Sequence, residues 1–293
     1  MFSLRHLVWV IVLMAVIVWI GPAVVHAADA RLPVLGGGIP DVLESTPQGS
    51  LFSNPVGLLL PMTAQGVFRW DVQPAGDGPS IQRMGVVMAL DGPVIGVGWY
   101  TESVADLIRT ARHPVTHQIV HLDTFGANTD WLALSMAIPL PHGWGVGMSA
   151  DIMRMAIDSQ DALGLGLGWG VQYQLNAHWY TRIGIRRLLS NPFYWSNGQW
   201  DHIPSYTVGE IGVSDTWGGI MGYLSSDSVR IGARVAIGPS LQVLLDRSWG
   251  QSARMGMGLV FRFSPITLQY THSSYPDWGT LQDTDVVGLS FEW

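Results

Sequence analysis

Residues 163–175 sort themselves by parity without exception. Leu163, Leu165, Leu167, Trp169, Val171, Tyr173 and Leu175 alternate with Gly164, Gly166, Gly168, Gly170, Gln172 and Gln174. A helix scatters such residues around its circumference, whereas a strand sends them to opposite faces automatically. The sorting recurs at 254–263, where Met255, Met257, Leu259, Phe261 and Phe263 oppose Arg254, Gly256, Gly258, Val260 and Arg262, and again at 229–237 and 287–293. Long apolar side chains face one way; glycine, arginine and small polar groups face the other.

A soluble sandwich turns its apolar face inward and clothes the outer one with Lys, Glu and Thr. Here the polar face is sparse, glycine-rich and dotted with arginine, as suits a narrow, partly filled lumen with the apolar face turned to lipid. Composition agrees: 48% of residues are hydrophobic and 13% charged, yet no apolar run after residue 27 is long enough for a membrane helix. The expected fold is all-β, a transmembrane antiparallel β-barrel of about 14 strands with an N-terminal luminal plug segment. The barrel occupies residues 67–293 and the plug 28–66.

Counted back from the C-terminus, the strands fall near 285–293, 267–273, 254–263, 241–249, 228–237, 218–225, 205–215, 178–188, 161–175, 143–156, 130–139, 93–101, 80–90 and 67–73. An even number puts both ends on the periplasmic side. The long connections 102–129, 189–204 and 274–284 then lie outside the cell. Asp91-Gly92-Pro93, Pro141-His142-Gly143, Asn176-Ala177 and Gly238-Pro239-Ser240 become tight periplasmic turns. This count treats 117–125 as part of a loop. Trp99, Tyr100, Trp131, Trp144, Trp179, Tyr180, Trp217 and Trp249 gather near strand ends, where interfacial girdles belong.

The N-terminus supports export. Arg5 and His6 precede an apolar run at 7–20, then Gly21-Pro22 and the small-residue pattern Val25-His26-Ala27. This reads as a signal peptide, residues 1–27, destined for the bacterial outer membrane. With no cysteine there is no acylation site, disulfide or thiolate chemistry. The formal charge of −7 argues against nucleic acid as a partner. All cations are arginine, a planar fork suited to carboxylate and phosphate.

The stretch Ser50-Leu51-Phe52-Ser53-Asn54-Pro55-Val56-Gly57-Leu58 resembles the Asn-Pro-Ala-Gly signature of the long-chain fatty-acid transporter (FadL-like) superfamily, closest in appearance to its smaller PorV-type barrels, with Val56 in place of Ala. The strand at 163–173, the segment 179–188 and the run 255–293 are also similar to those barrels. The resemblance implies a 14-stranded barrel with Asn54 and Pro55 in a luminal plug. It implies either admission of hydrophobic or amphipathic small molecules, or an occluded barrel docking a secretion or surface-assembly partner. Taken alone, Asn-Pro also reads as a simple turn.

Arg83, Arg182, Arg186, Arg230, Arg234, Arg254 and Arg262 share the non-apolar face. Of these, Arg182, Arg186, Arg230, Arg234 and Arg262 are the candidate luminal ligand contacts for a carboxylate or phosphate head group. Asp151, Glu210, Asp246 and Glu292 share the same lumen, so interstrand ion pairing is the competing role. His113, His117 and His121, with Asp123, are spaced for one face, but Pro114 and the strand spacing favour a polar loop over a metal site. Ser103 is placed to cap a short helix through Arg112 carrying Val104, Leu107, Ile108 and Ala111, with an extended hairpin as the alternative.

His272-Ser273-Ser274 resembles the His-x-Ser pair of outer-membrane lipid A deacylases, without an evident third acid. No phosphate loop, dinucleotide fingerprint or nucleophile elbow occurs. The chain therefore reads as a non-enzyme with no cofactor, an outer-membrane lipid hydrolase with His272 and Ser274 in one cleft beside an acid being the minor alternative, and its environment is outer-membrane lipid.

Overall fold

A computed structural model of the chain describes residues 50–60, 65–73, 80–112, 119–176, 178–203, 205–215, 218–225, 228–250, 254–274 and 284–293. The expected signal peptide, and the plug boundary at residue 28, lie outside them.

The strands are β1 (Gly66–Gln73), β2 (Ser80–Ala89), β3 (Val94–Arg112), β4 (Ile119–Pro139), β5 (Trp144–Ile157), β6 (Gln160–Gln174), β7 (Trp179–Ser190), β8 (Phe193–Trp195), β9 (Trp200–Asp201), β10 (Tyr206–Asp215), β11 (Gly218–Ser225), β12 (Ser228–Ala236), β13 (Leu241–Gly250), β14 (Arg254–Phe263), β15 (Ile266–Ser274) and β16 (Thr284–Glu292). Fourteen of them close an antiparallel ring, each paired with its neighbours in order. Strand β7 passes to β10 and β1 closes on β16 through Val67↔Glu292 and Val72↔Val287. The short pair β8–β9 hangs from the far end of β6 through Ala162↔Trp195.

A closed ring leaves no unpaired edge, so every strand can sit in hydrocarbon with its backbone satisfied. Side-chain parity does the rest. On β6, Leu163, Leu165, Leu167 and Trp169 stand exposed on the outer face, while Gly164, Gly166, Gly168, Gly170 and Gln172 are buried inside. The outer face is apolar all around, from Trp70 on β1 through Met148, Ile231 and Leu259 to Leu289 on β16. No helix among the described residues is long and apolar enough to cross a membrane. Boiled and unboiled samples in detergent are expected to migrate differently on a gel. Identical migration, with rapid tryptic digestion, would contradict the closed ring.

Two expectations are corrected. Strands β3 and β4, at 19 and 21 residues, run far past the barrel as one hairpin. The ladder continues through Val104↔Ala127, Leu107↔Phe125 and Arg112↔Ile119, so Ser103 caps no helix and 119–125 is strand. A helix of ten residues is marginal in water, whereas each added hairpin pair extends a ladder already begun. Bulges between Val104 and Leu107 and between Ile108 and Thr110 absorb the misfit, with Asp106 at φ 55°.

The aromatic girdle is also smaller than expected. Trp144, Trp179 and Trp249 are exposed on the outside, and Trp144 packs on Tyr173 at 4.8 Å. Tyr100 and Trp131 are instead buried in the lumen, and Tyr180 packs on the luminal Met221. Tyr100 shares parity with the inward Gly96 and Gly98, and Trp131 with Ala133 and Ser135. Trp217 lies outside the described residues.

The turn at Pro141–Gly143 needs its glycine. Gly143 sits at φ 80°, and a Cβ there would meet the carbonyl of Gln174.

Candidate functional site

The inward faces of β3, β5, β6 and β7 carry glycines at 96, 98, 145, 147, 164, 166, 168, 170 and 184. Residues 50–60 occupy the space left at 96, 98, 145, 147, 170 and 184, while Phe193 and Ile203 fill it at Gly164 and Arg187 at Gly166. A Cβ on Gly147 would lie 2.5 Å from Val56 N, and one on Gly170 2.5 Å from Asn54 Oδ1. Gly96 and Gly98 likewise face Leu51 and Phe52.

Within the segment, Pro55–Leu59 forms a 3-10 helix with Pro at its start, where a missing N–H costs nothing. Asn54 caps it, its Oδ1 accepting from Val56 N–H at 3.3 Å. The turn reading of Asn-Pro and the luminal reading are therefore both realised in one element. The backbone N–H groups of Asn54, Gly57 and Leu60 bond within the segment, Gly57 N–H to Asn54 O at 2.9 Å. What fastens it to the wall is side chains.

Two strand-borne ion pairs supply the fastening. Arg186 on β7 is fully buried. It donates to Leu51 O at 2.5 Å and to Ser135 Oγ at 3.3 Å, and pairs with Asp151 on β5 at 3.3 Å. Arg182, four residues earlier on the same face, pairs with Glu210 on β10, and Glu210 accepts from Asn54 Nδ2 at 3.5 Å. Arg182 and Arg186 thus meet acids and the segment together.

Phe52 projects from the segment into an aromatic cluster. Its ring meets Trp131 edge-on at 5.2 Å and Tyr100 at 6.3 Å. Arg186 and Arg187 lie over Trp131 at 5.2 and 5.5 Å. Met153, Met155, Phe193 and Ile203 complete this apolar side of the lumen.

Arg187 escaped sequence reading, because strict alternation puts it outside. Strand β7 bulges where Leu167↔Leu189 gives way to Trp169↔Ile185, and Arg187 takes φ 56°, so two consecutive arginines turn inward. An Arg-Arg pair inside an otherwise alternating strand was the one available signal.

The other side of the lumen is polar. Arg230 is fully buried over Tyr223 at 5.7 Å. Arg234 follows on the same face, and Arg262 stands exposed on β14 near its turn into β15. Arg83 reaches Asp71 at 3.7 Å, and Asp71 is gripped by Arg69 at 2.8 Å. Arg69 was not among the expected residues, and the side chain of Arg254 lies outside the described ones. Asp246 faces this half from β13.

His121 and Asp123 sit on the projecting hairpin, with Asp123 paired to Arg109 at 3.4 Å. His113 and His117 lie outside the described residues, and among those described no group of three metal-binding side chains gathers.

A different cluster occupies the outer wall. Buried Thr271 and Ser273 fix the parity of β15, so Tyr270, His272 and Ser274 face outward together. Directly across the ladder, Asp285 pairs with His272. Its Oδ1 lies 3.0 Å from His272 Nδ1 and accepts from Tyr270 OH at 2.6 Å. Asp285 is the acid that the sequence did not disclose. It sits 13 residues away in the chain and becomes a neighbour only through strand register.

No family model matches the chain, and no curated protein sequence matches it. Solved structures do match in fold. The toluene transporter TodX of Pseudomonas putida aligns over 83% of this chain and 93% of its own, with a TM-score of 0.62 at 11% identity. The monoaromatic hydrocarbon channel CymD aligns over 83% and 91% with a TM-score of 0.60 at 9% identity. The Ralstonia pickettii toluene transporter TbuX gives 84% and 94%, a TM-score of 0.51 and 12% identity. These likenesses, at 9–12% identity, are of fold, and the 14-stranded barrel that the expected resemblance implied is the one observed.

Proposed function

We propose that this chain is an outer-membrane transport barrel admitting hydrophobic or amphipathic small molecules, with residues 50–60 as its plug. The observation that carries this reading is the way the segment is held. It contributes no strand to the wall, rests on glycine seats and is fastened by wall side chains, so in this reading it can leave without breaking the ring. The hydrocarbon channels that share the fold favour the same class of cargo.

In this reading Asn54 and Pro55 shape the plug, and Arg182 and Arg186 fasten it. Arg230, Arg234 and Arg262 form the guiding side of the lumen, where a guanidinium steers a carboxylate head group while the apolar tail follows the opposite wall.

The test is uptake of radiolabelled toluene and of a long-chain fatty acid by cells expressing the protein. Accumulation above that of cells lacking it is expected for at least one. The Arg234→Ala/Arg262→Ala variant is expected to lose about tenfold in fatty-acid uptake, the scale of one charge-assisted contact, while toluene uptake holds. No uptake of either, with no conductance in planar bilayers, would sink transport and leave an occluded docking barrel.

A further inference from the structure

The geometry points to a second site, on the lipid-facing wall: a serine-hydrolase centre made of Ser274, His272 and Asp285, acting on carboxylic esters of outer-leaflet lipids. It is independent of the lumen and of the transport reading.

Three groups that hydrolysis needs stand on one face. Asp285 holds His272 through Nδ1 at 3.0 Å, and an imidazole oriented at Nδ1 by a carboxylate presents Nε2 as the general base. Ser274 lies two residues along the same strand, on the same outward face. Its backbone is about 7 Å from that of His272, a gap a serine hydroxyl and an imidazole close when turned toward each other. Tyr270, bonded to the same Asp285 oxygen at 2.6 Å, fixes the carboxylate from below.

The surroundings suit a lipid ester better than a soluble one. Ladder register sets Ser274 beside Met255, and Met255 beside Arg247. Below this row, Met257, Leu259 and Val287 are exposed apolar side chains, a surface on which an acyl chain can lie. Arg247, exposed and 5.3 Å over Trp249, is two strands from Ser274, about 10 Å at ordinary strand spacing. That is the reach of a phosphate head group whose ester sits at the serine, and an arginine beside an outward tryptophan marks the interfacial level.

In the reaction, Ser274 Oγ attacks the ester carbonyl as His272 Nε2 takes its proton. The C–O bond to the lipid alkoxide breaks, and the alkoxide leaves with that proton. Water, deprotonated by the same imidazole, then cleaves the acyl-serine to release a free fatty acid. One water is consumed per ester and no oxidant or metal is required. Asp285 is a positioning residue.

The test uses the full chain refolded in detergent and in vesicles. A fluorophosphonate probe is expected to label Ser274, located by mass spectrometry. Vesicles of phosphatidylethanolamine with phosphatidylglycerol, and others carrying an acylated glucosamine phospholipid, are assayed for fatty-acid release, which tells the two ester sources apart. Ser274→Ala and His272→Ala are expected to lose at least about a hundredfold. Asp285→Asn is expected to lose less and to shift the pH profile, which a purely structural change would not do. Gel migration before and after boiling verifies that each variant is folded. No probe adduct at Ser274 on the wild type, together with release from neither lipid, would overturn the proposal; so would release that Ser274→Ala leaves unchanged.

Discussion

Gly147→Val is expected to drive residues 50–60 from the lumen while leaving the barrel folded. A Cβ at this position meets Val56 N at 2.5 Å, the carbonyl carbon of Pro55 at 2.7 Å and Val56 Cα at 2.8 Å. All three are backbone atoms of the segment, which cannot rotate aside as a side chain would, and none of the three belongs to the wall. Overpacking of this kind costs about 1–3 kcal/mol. If the segment is a removable plug, that raises the displaced population by roughly 5- to 150-fold, read as single-channel conductance and as hydrocarbon uptake. Gly147→Ala is expected to fall between wild type and Gly147→Val. A folded Gly147→Val barrel with wild-type conductance and uptake would mean that the segment does not gate the lumen.

That prediction was partly legible before any coordinates. The parity of residues 163–175 puts Gly164 to Gly170 inward, and an inner face so bare has to be filled by something. The Asn-Pro motif names the filler at Gly170, whereas Phe193, Ile203 and Arg187 fill the face at Gly164 and Gly166, and the particular seat of Val56 on Gly147 depends on strand stagger, which no local pattern encodes. Parity also places Tyr100 and Trp131 inside, and treating them as girdle residues ignored the glycines and small residues flanking them. The β3–β4 hairpin was hidden for another reason. Val104, Leu107 and Ile108 at spacings of three and four mimic a helix stripe, when bulges in the strand generate the same spacing. Arg187 and Asp285 mark the limit of this kind of reading. One is turned by a bulge and the other brought in by register, so each needs a partner strand to be seen.

The two walls of the lumen now make different demands on arginine. On the apolar side Arg186 is buried against Asp151 and carries the carbonyl of Leu51, so its charge is spent on holding the segment. On the polar side Arg230 lies over Tyr223, and Arg234 and Arg262 share its inward parity; in the proposed mechanism these are the side chains that meet an anionic head group. Structural pairing and ligand recognition, which the sequence left as competing roles for all these arginines, are assigned residue by residue in the proposed mechanism: Arg83 pairs with Asp71, Arg182 with Glu210 and Arg186 with Asp151, while Arg230, Arg234 and Arg262 guide the cargo.

Arg186→Met separates stability from occlusion. Both Arg186 and Asp151 have side chains with 0% exposure, so removing the cation strands a buried carboxylate at a cost of about 3–5 kcal/mol. The urea midpoint for unfolding from detergent micelles is expected to fall accordingly, with the slope unchanged. Adding Asp151→Leu removes the stranded charge and is expected to recover most of that loss, since an apolar pair of similar volume replaces a buried ion pair at little or no net cost. The double variant still lacks the donor to Leu51 O, so its segment remains loosely held and its conductance stays above wild type although its midpoint returns. If Arg186→Met alone leaves the midpoint where it was, the pair is hydrated rather than buried, and the fastening of the plug must be sought at Arg182, Glu210 and Asn54 instead.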